Sequence, residues 1–177
     1  MVNKKKILCI SGSTRNNSSN LKLLQLIGEM TQDKYEVSIF NELSTLPHFN
    51  PDLDNEHPPQ QIIHFRNKIL WSDAVIICTP EYVFSIPGSL KNALEWMVST
   101  TIFSDKPVGL ITASAQGEKG QAELKLIMQT IGAVFNDSTS LLIQGIRGKI
   151  NDNGKVTDEK TMASIEQFLF AFDEQLN

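Results

Sequence analysis

Short apolar runs alternate along the chain with longer segments whose hydrophobic positions recur every three or four residues. Lys6-Ile7-Leu8-Cys9-Ile10 reads as a strand buried on both faces and ending at Ser11-Gly12. Leu24, Ile27 and Met30 form one apolar stripe of a helix predicted from about Ser19 to Met30. Tyr35 to Phe40 alternates in polarity, which suits a strand at a sheet edge. Asn41 to Gln60, rich in Pro, Asp and Asn, reads as loop. A helix from about Gln60 to Trp71 leads into Ala74-Val75-Ile76-Ile77-Cys78, a second wholly apolar strand. Pro87 opens a third helix carrying Leu90, Ala93, Leu94 and Met97 on one face, because a missing N–H costs nothing at the first helical position. Pro107 to Ile111 gives a fourth strand, Ala122 to Ile131 a fourth helix, and Leu141 to Ile143 lies in a fifth strand. In the last helix, from about Asp158 to Leu176, Met162, Ile165, Leu169, Phe172 and Leu176 recur at helical spacing.

Five strands, each followed by a helix, predict an α/β fold: a doubly wound, five-stranded parallel sheet with helices on both faces. Right-handed crossovers leave few other topologies, and such sheets bind ligands beyond the carboxyl ends of their strands. The loops after the first, third and fourth strands are therefore the places where chemistry is expected.

Length and charge narrow the function. A chain of 177 residues with 41% hydrophobic and 20% charged residues suits one domain spanning residues 1–177. The net charge is −4 and the only basic run is Lys4-Lys5-Lys6, so a nucleic-acid partner is not expected. Ile7 to Ile10 and Ala74 to Cys78 fall far short of the ~20 apolar residues of a membrane helix, so no membrane partner is expected either. Ile7 to Ile10 also runs straight into Ser11-Gly12-Ser13, unlike the apolar core of about 7–15 residues in a secretory signal. The expected location is the cytoplasm. Cys9 and Cys78 sit inside apolar runs and not in a CxxC pair, so two reduced, packed thiols are expected.

The first loop, Ser11 to Asn20, is a string of small and hydrogen-bonding residues around a single Arg15. A helix N-terminus offers unpaired N–H groups and about half a positive charge, which stabilise an anion placed there. Ser11, Ser13, Arg15, Ser18, Ser19 and Asn20 are the candidate phosphate ligands; helix capping alone accounts for only one or two of them. The Walker pattern and GxGxxG are both absent, which leaves a monophosphate as the better fit. Cys9 and Arg15 also stand as Cys-x5-Arg, the arrangement of low-molecular-weight tyrosine phosphatases, with Asp52 or Asp54 as the general acid such an enzyme needs. Ile10 continues the strand past Cys9, however, and that favours a buried sulfur over a nucleophile.

In the third loop, Pro80, Glu81, Tyr82, Val83, Phe84 and Ser85 offer a turn stiffened by proline and aromatic surface for a planar ring. Ser114, Ala115, Gln116 and Gly117 in the fourth loop are small enough to bring backbone N–H groups to a ligand edge. Three such loops on one sheet edge suit a planar phosphate ester, and FMN answers that description.

On these residues the sequence resembles the NADPH-dependent FMN reductase family, which includes quinone, azo-dye and chromate reductases. Gly12, Ser13, Arg15, Ser18 and Asn20 match its motif Gly-Ser-x-Arg-x-x-Ser-x-Asn. Pro80-Glu81-Tyr82-Val83-Phe84-Ser85-Ile86-Pro87-Gly88-Ser89-Leu90-Lys91-Asn92-Ala93-Leu94-Glu95-Trp96 matches its second, long motif, and Leu46 to Leu53 looks like its second-strand loop. Val83 departs from the family's asparagine, and Ala115 to Gly120 lacks the fuller glycine run common there.

The resemblance implies a flavodoxin-like sheet of order 2-1-3-4-5, with FMN phosphate on residues 11–20 and the ring against residues 80–85 and 114–117. It implies hydride transfer from NADPH or NADH, through FMN, to a small-molecule acceptor in a ping-pong scheme. The acceptor classes are quinones, azo or nitro compounds, metal oxyanions and free flavin. It also implies a homodimer or homotetramer, for which Trp96, off the stripe of its helix, is the candidate contact. No catalytic acid or base is nominated; Glu81 and Tyr82 are read as structural. His48, His57 and His64 are read as solvated loop residues, with no metal expected, and Lys91 with Glu95 as an exposed ion pair. The competing non-enzymatic reading is a flavodoxin, an electron carrier with no substrate of its own.

Overall fold

The computed structural model describes residues 4–177. Five strands, β1 (Lys5–Ser11), β2 (Tyr35–Phe40), β3 (Ala74–Thr79), β4 (Val108–Ser114) and β5 (Ser140–Gln144), alternate with five helices, α1 (Ser19–Thr31), α2 (Gln60–Leu70), α3 (Gly88–Glu95), α4 (Glu118–Thr130) and α5 (Glu159–Leu176). All strand pairings are parallel, in the order β2-β1-β3-β4-β5. That is the flavodoxin-like order, and β2 is the edge strand its alternation predicted. The register brings Ser11 beside Cys78, Thr79 beside Thr112 and Ser114 beside Gln144. The carboxyl ends of the four strands β1, β3, β4 and β5 therefore form one continuous rim.

The two-residue period of the strands splits the core into two layers. Leu8, Ile10, Val75, Ile77 and Leu110 face a layer filled by Phe65 of α2, Leu90 of α3 and Leu124 of α4. Ile7, Cys9, Ile76, Cys78 and Ile111 face the other, filled by Leu23, Leu24 and Ile27 of α1 and by Ile165, Phe168 and Phe172 of α5. Each fully buried side chain of this size contributes about 1.5–3 kcal/mol from water exclusion, so the alternating pattern alone strongly fixes which face each strand residue takes.

The structure corrects several details. Met30 is 38% exposed and leaves the stripe of α1; Leu23 takes a place in the stripe, and Thr31, four residues after Ile27, is buried with its hydroxyl donating to Ile27 O at 2.7 Å. The loop from Asn41 contains two short 3-10 turns, Leu43–Thr45 and Pro51–Leu53. Pro87 has φ −56° and ψ 140°, so it is the cap of α3 and not its first helical residue. Helix α4 starts at Glu118, four residues before the predicted Ala122, for a reason that lies in the third loop.

Trp96 is the largest correction. It is 0% exposed and belongs to the core, so it is not a subunit contact. Its Nε1–H donates to Pro47 O at 2.9 Å, and Phe49 meets the ring edge-on at 5.1 Å. Asn92, one turn earlier, accepts from Phe49 N at 2.7 Å and donates to Pro47 O at 3.0 Å. The Asn92-to-Trp96 part of the long motif thus clamps the loop after β2 onto α3. A buried indole N–H and a half-buried amide both need partners, and the carbonyl of Pro47 serves both.

Candidate functional site

Beyond the carboxyl rim lies a cavity of about 340 Å³. From the candidate set it is lined by Ser13, Arg15, Ser18, Ser19 and Asn20 of the first loop and first turn of α1, Pro80, Glu81 and Tyr82 of the third loop, and Ser114 and Ala115 of the fourth. Ser11, Val83, Phe84, Ser85, Gln116 and Gly117 do not line it. Ser11 is buried and its hydroxyl donates to Ser13 O at 3.2 Å, so it braces the loop from beneath. Phe84 and Gln116 line an adjoining recess of about 220 Å³ with Glu81, Glu118, Lys119 and Gln144.

The first loop is shaped by one close approach. Gly12 N donates to Cys78 O at 2.8 Å, and a Cβ on Gly12 would stand 2.4 Å from Thr79 Oγ1 and 3.0 Å from Thr79 Cα. Only glycine lets the chain turn off β1 this close to β3. Ser18 then caps α1, its Oγ accepting from Leu21 N at 3.1 Å. The other first-turn N–H groups of α1 have no intrahelical acceptor and face the end of the sheet where an anion is stabilised by the helix dipole. Ser13, Ser18 and Ser19 add hydroxyl donors and Arg15 an exposed guanidinium. This donor set fits a phosphate monoester.

Asn20 lines the cavity and also braces it. Its amide nitrogen donates to Ala113 O at 3.3 Å and its Oδ1 accepts from Cys78 Sγ at 3.2 Å. The buried amide therefore pins the first turn of α1 to the ends of β3 and β4. Cys78 is held as a thiol by burial and by the nearby Cys9.

The third loop turns tightly. Tyr82 N donates to Ser85 O at 2.8 Å and Ser85 N to Tyr82 O at 3.0 Å, with Val83 at φ 53° and Phe84 at φ 60° between them. Two successive left-handed residues make this a hairpin turn of the primed kind, which asparagine and glycine adopt with ease and a β-branched valine does not. The tip is bare: Val83 is 94% and Phe84 70% exposed. Glu81, just before it, has its carboxylate engaged. Oε2 accepts from Gly120 N at 2.8 Å and Oε1 from Gly117 N at 3.3 Å. An acceptor side chain from another loop thus caps α4, while Gly117 at φ 98° makes the bend before it. Ser114 Oγ donates to Glu81 O at 3.3 Å and adds a second tie between the two loops.

The cavity has a fourth wall that the sequence reading missed: Gly145, Ile146 and Arg147, from the turn after β5. Gly145 N donates to Ala115 O at 3.2 Å. An arginine after an apolar strand is the one local signal in the sequence for this wall.

The phosphatase reading falls on the same geometry. Cys9 is fully buried within β1, out of a substrate's reach, and burial pushes its thiol up to about 12, which disfavours the thiolate such an enzyme needs. Asp54 is spent as well, in an ion pair with Arg66 at 2.8 Å. No group of three or more His, Cys, Asp or Glu side chains is placed to hold a metal among the described residues. Nor does any described helix have the length and apolarity to cross a membrane.

Known proteins place this arrangement. A NADH:(hydroxy)cinnamate reductase subunit of Vibrio ruber is 33% identical, over 93% of this chain and 84% of that protein. A quinone reductase of Pseudomonas putida is 30% identical, over 94% and 91%. The solved structure of FerB, a flavoenzyme NAD(P)H:(acceptor) oxidoreductase from Paracoccus denitrificans, superposes with a TM-score of 0.85 at 30% identity, covering 97% of each chain. Residues 5–146 match the family described as NADPH-dependent FMN reductase, and the chain is a member of that oxidoreductase family.

Proposed function

We propose that this protein, acting as one flavin-binding domain, is an NAD(P)H oxidoreductase that uses FMN to reduce a small acceptor such as a quinone, azo or nitro compound, metal oxyanion or free flavin. Bound FMN supplies a ring that accepts a hydride from the nicotinamide and returns electrons to the acceptor. One observation carries the reading: a single cavity joins a serine-and-arginine cradle at the N-terminus of α1 to the rims of the third and fourth loops. Ser13, Arg15, Ser18 and Ser19 would hold the FMN phosphate. Pro80, Glu81, Tyr82, Ser114 and Ala115 line the rest of the same cavity and would hold the ring. Glu81 has a structural part here, since both its oxygens are occupied by Gly117 and Gly120. The single cavity of about 340 Å³ supports a ping-pong scheme, in which nicotinamide and acceptor would bind there in turn.

Exposed Tyr82, Val83 and Phe84 beside the cavity support self-association as a homodimer or homotetramer, in place of the buried Trp96. Two buried, unpaired thiols are compatible with a cytoplasmic location.

The visible spectrum of the purified protein tests the whole reading. The expected result is yellow protein, or FMN uptake by titration, with colour lost on anaerobic NADPH and restored by a quinone. Colourless protein that takes up no FMN overturns it. Flavin bound but inert to NADPH and NADH replaces it with the electron carrier. Arg15→Ala combined with Ser18→Ala is expected to abolish tight FMN binding.

A further inference from the structure

We propose that Arg147 is a second guanidinium of the phosphate cradle, so that the anion is bracketed by Arg15 on one side and Arg147 on the other. The inference rests on the flavin reading above and adds to it a residue outside all three expected loops.

Placement comes first. Residues 145–154 run from the end of β4, where Gly145 N bonds Ala115 O, to the flank of α1. There Lys22 Nζ donates to Asn151 O at 3.4 Å and lies 3.7 Å from Asp152. A recess of about 270 Å³ joins Asn16, Asn17 and Ser18 to Asp152, Asn153 and Gly154. Ile146 anchors this stretch in the core beside Leu23 and Leu24 of α1. Arg147 stands between these two attachments, and it lines the same cavity as Arg15, Ser18 and Ser19.

Charge comes second. Among the described residues neither the Arg15 nor the Arg147 side chain has a hydrogen-bonding or ion-pair partner, whereas Arg66 is paired with Asp54 and bonded to Trp96 O. The one carboxylate on the cavity wall, Glu81, is turned to the backbone amides of Gly117 and Gly120. A chain of net charge −4 thus keeps two unpartnered guanidiniums and no free carboxylate at this cavity. A doubly charged phosphate monoester at a helix N-terminus is the ligand chemistry that suits this arrangement.

Titration of flavin-free protein with FMN and with riboflavin, which lacks the phosphate, separates the possibilities. Arg147→Ala is expected to weaken FMN about tenfold, the effect of one charge-assisted hydrogen bond, and to leave riboflavin unchanged. Arg147→Lys retains part of the affinity, Arg147→Gln does not, and raising salt narrows the gap between wild type and Arg147→Ala. Lys149→Ala, a nearby cation outside the cavity, is expected to bind FMN as the wild type does. Equal losses for both flavins, no loss for FMN, or a change confined to the KM for NADPH would each overturn the assignment. If wild type binds FMN and Arg147→Ala binds it equally well, only this inference fails. If wild type binds neither flavin, the cofactor reading fails first.

Discussion

Glu81 holds Gly120: its Oε2 accepts the Gly120 amide at 2.8 Å, and its Oε1 the Gly117 amide at 3.3 Å. The third loop thereby supplies the N-cap that α4 lacks in its own sequence, since Gly117 has no side chain to offer. A carboxylate at a helix N-terminus is stabilised by the unpaired amides and by the dipole. The third and fourth loops are coupled through it. Glu81→Ala is expected to cost about 1–2 kcal/mol in denaturant unfolding and to weaken FMN binding, because both loops lose their mutual register. Glu81→Gln keeps one acceptor oxygen and loses less. Unfolding curves and FMN titrations of both variants decide the matter, and an unchanged Glu81→Ala would refute it.

Val83 sits at φ 53° on an exposed tip, where its side chain gains no burial to offset the left-handed backbone. Val83→Asn is expected to stabilise the fold by about 1 kcal/mol, read as a higher Tm, because asparagine tolerates this conformation. Val83→Pro is expected to destabilise it, since proline cannot reach a positive φ. The cavity does not include Val83, so FMN affinity of the asparagine variant stays at the wild-type level.

Asn20 ties α1 to the sheet by its amide, and Asn20→Ala strands the Ala113 carbonyl and opens a gap under the cradle. The expected cost is about 1–3 kcal/mol, with a parallel fall in FMN affinity. Asn20→Asp lacks the amide donor and places a carboxylate near the anion, so it is expected to bind FMN more weakly than Asn20→Ala does. Calorimetric titration of the two variants measures the order.

Burial raises the Cys9 thiol from 9.0 to about 12. The folded pKa lies above the unfolded one, so the protonated thiol favours the fold. Its contribution is intact below pH 9.0 and lost as pH rises toward about 12. The expected slope is at most about 1.4 kcal/mol per pH unit for this thiol, and Cys9→Ala should unfold with a shallower alkaline dependence. Native protein is expected to leave both cysteines unreactive toward a thiol reagent until denaturant is added.

Trp96→Ala is expected to cost about 3–5 kcal/mol through the cavity it leaves and the loss of its bond to Pro47 O. Gel filtration at fixed concentration should show no shift in oligomeric state for any folded fraction, because the indole lies inside the core.

The alternation of apolar strands and amphipathic helices determined the parallel sheet. The first loop and the Pro80-to-Trp96 stretch carried enough local pattern to mark the cavity's two principal walls. Those features are short-range: buried strands, capping residues and turn prolines act within a few positions. The burial of Trp96 is not legible locally, because its partners, Pro47 and Phe49, lie far away in sequence and helical phase alone shows only where a residue points. Glu81 and Gly120 are 39 positions apart, so the true start of α4 was invisible to local spacing. Asn20 lines the cavity, but its bonds to Ala113 O and Cys78 Sγ exist only because folding brings those distant groups within reach. Arg147 joined the cavity only because β5 pairs with β4, which sets the turn after it beside the first turn of α1. Pairing across the sheet brings distant residues together, and no window along the chain contains that information.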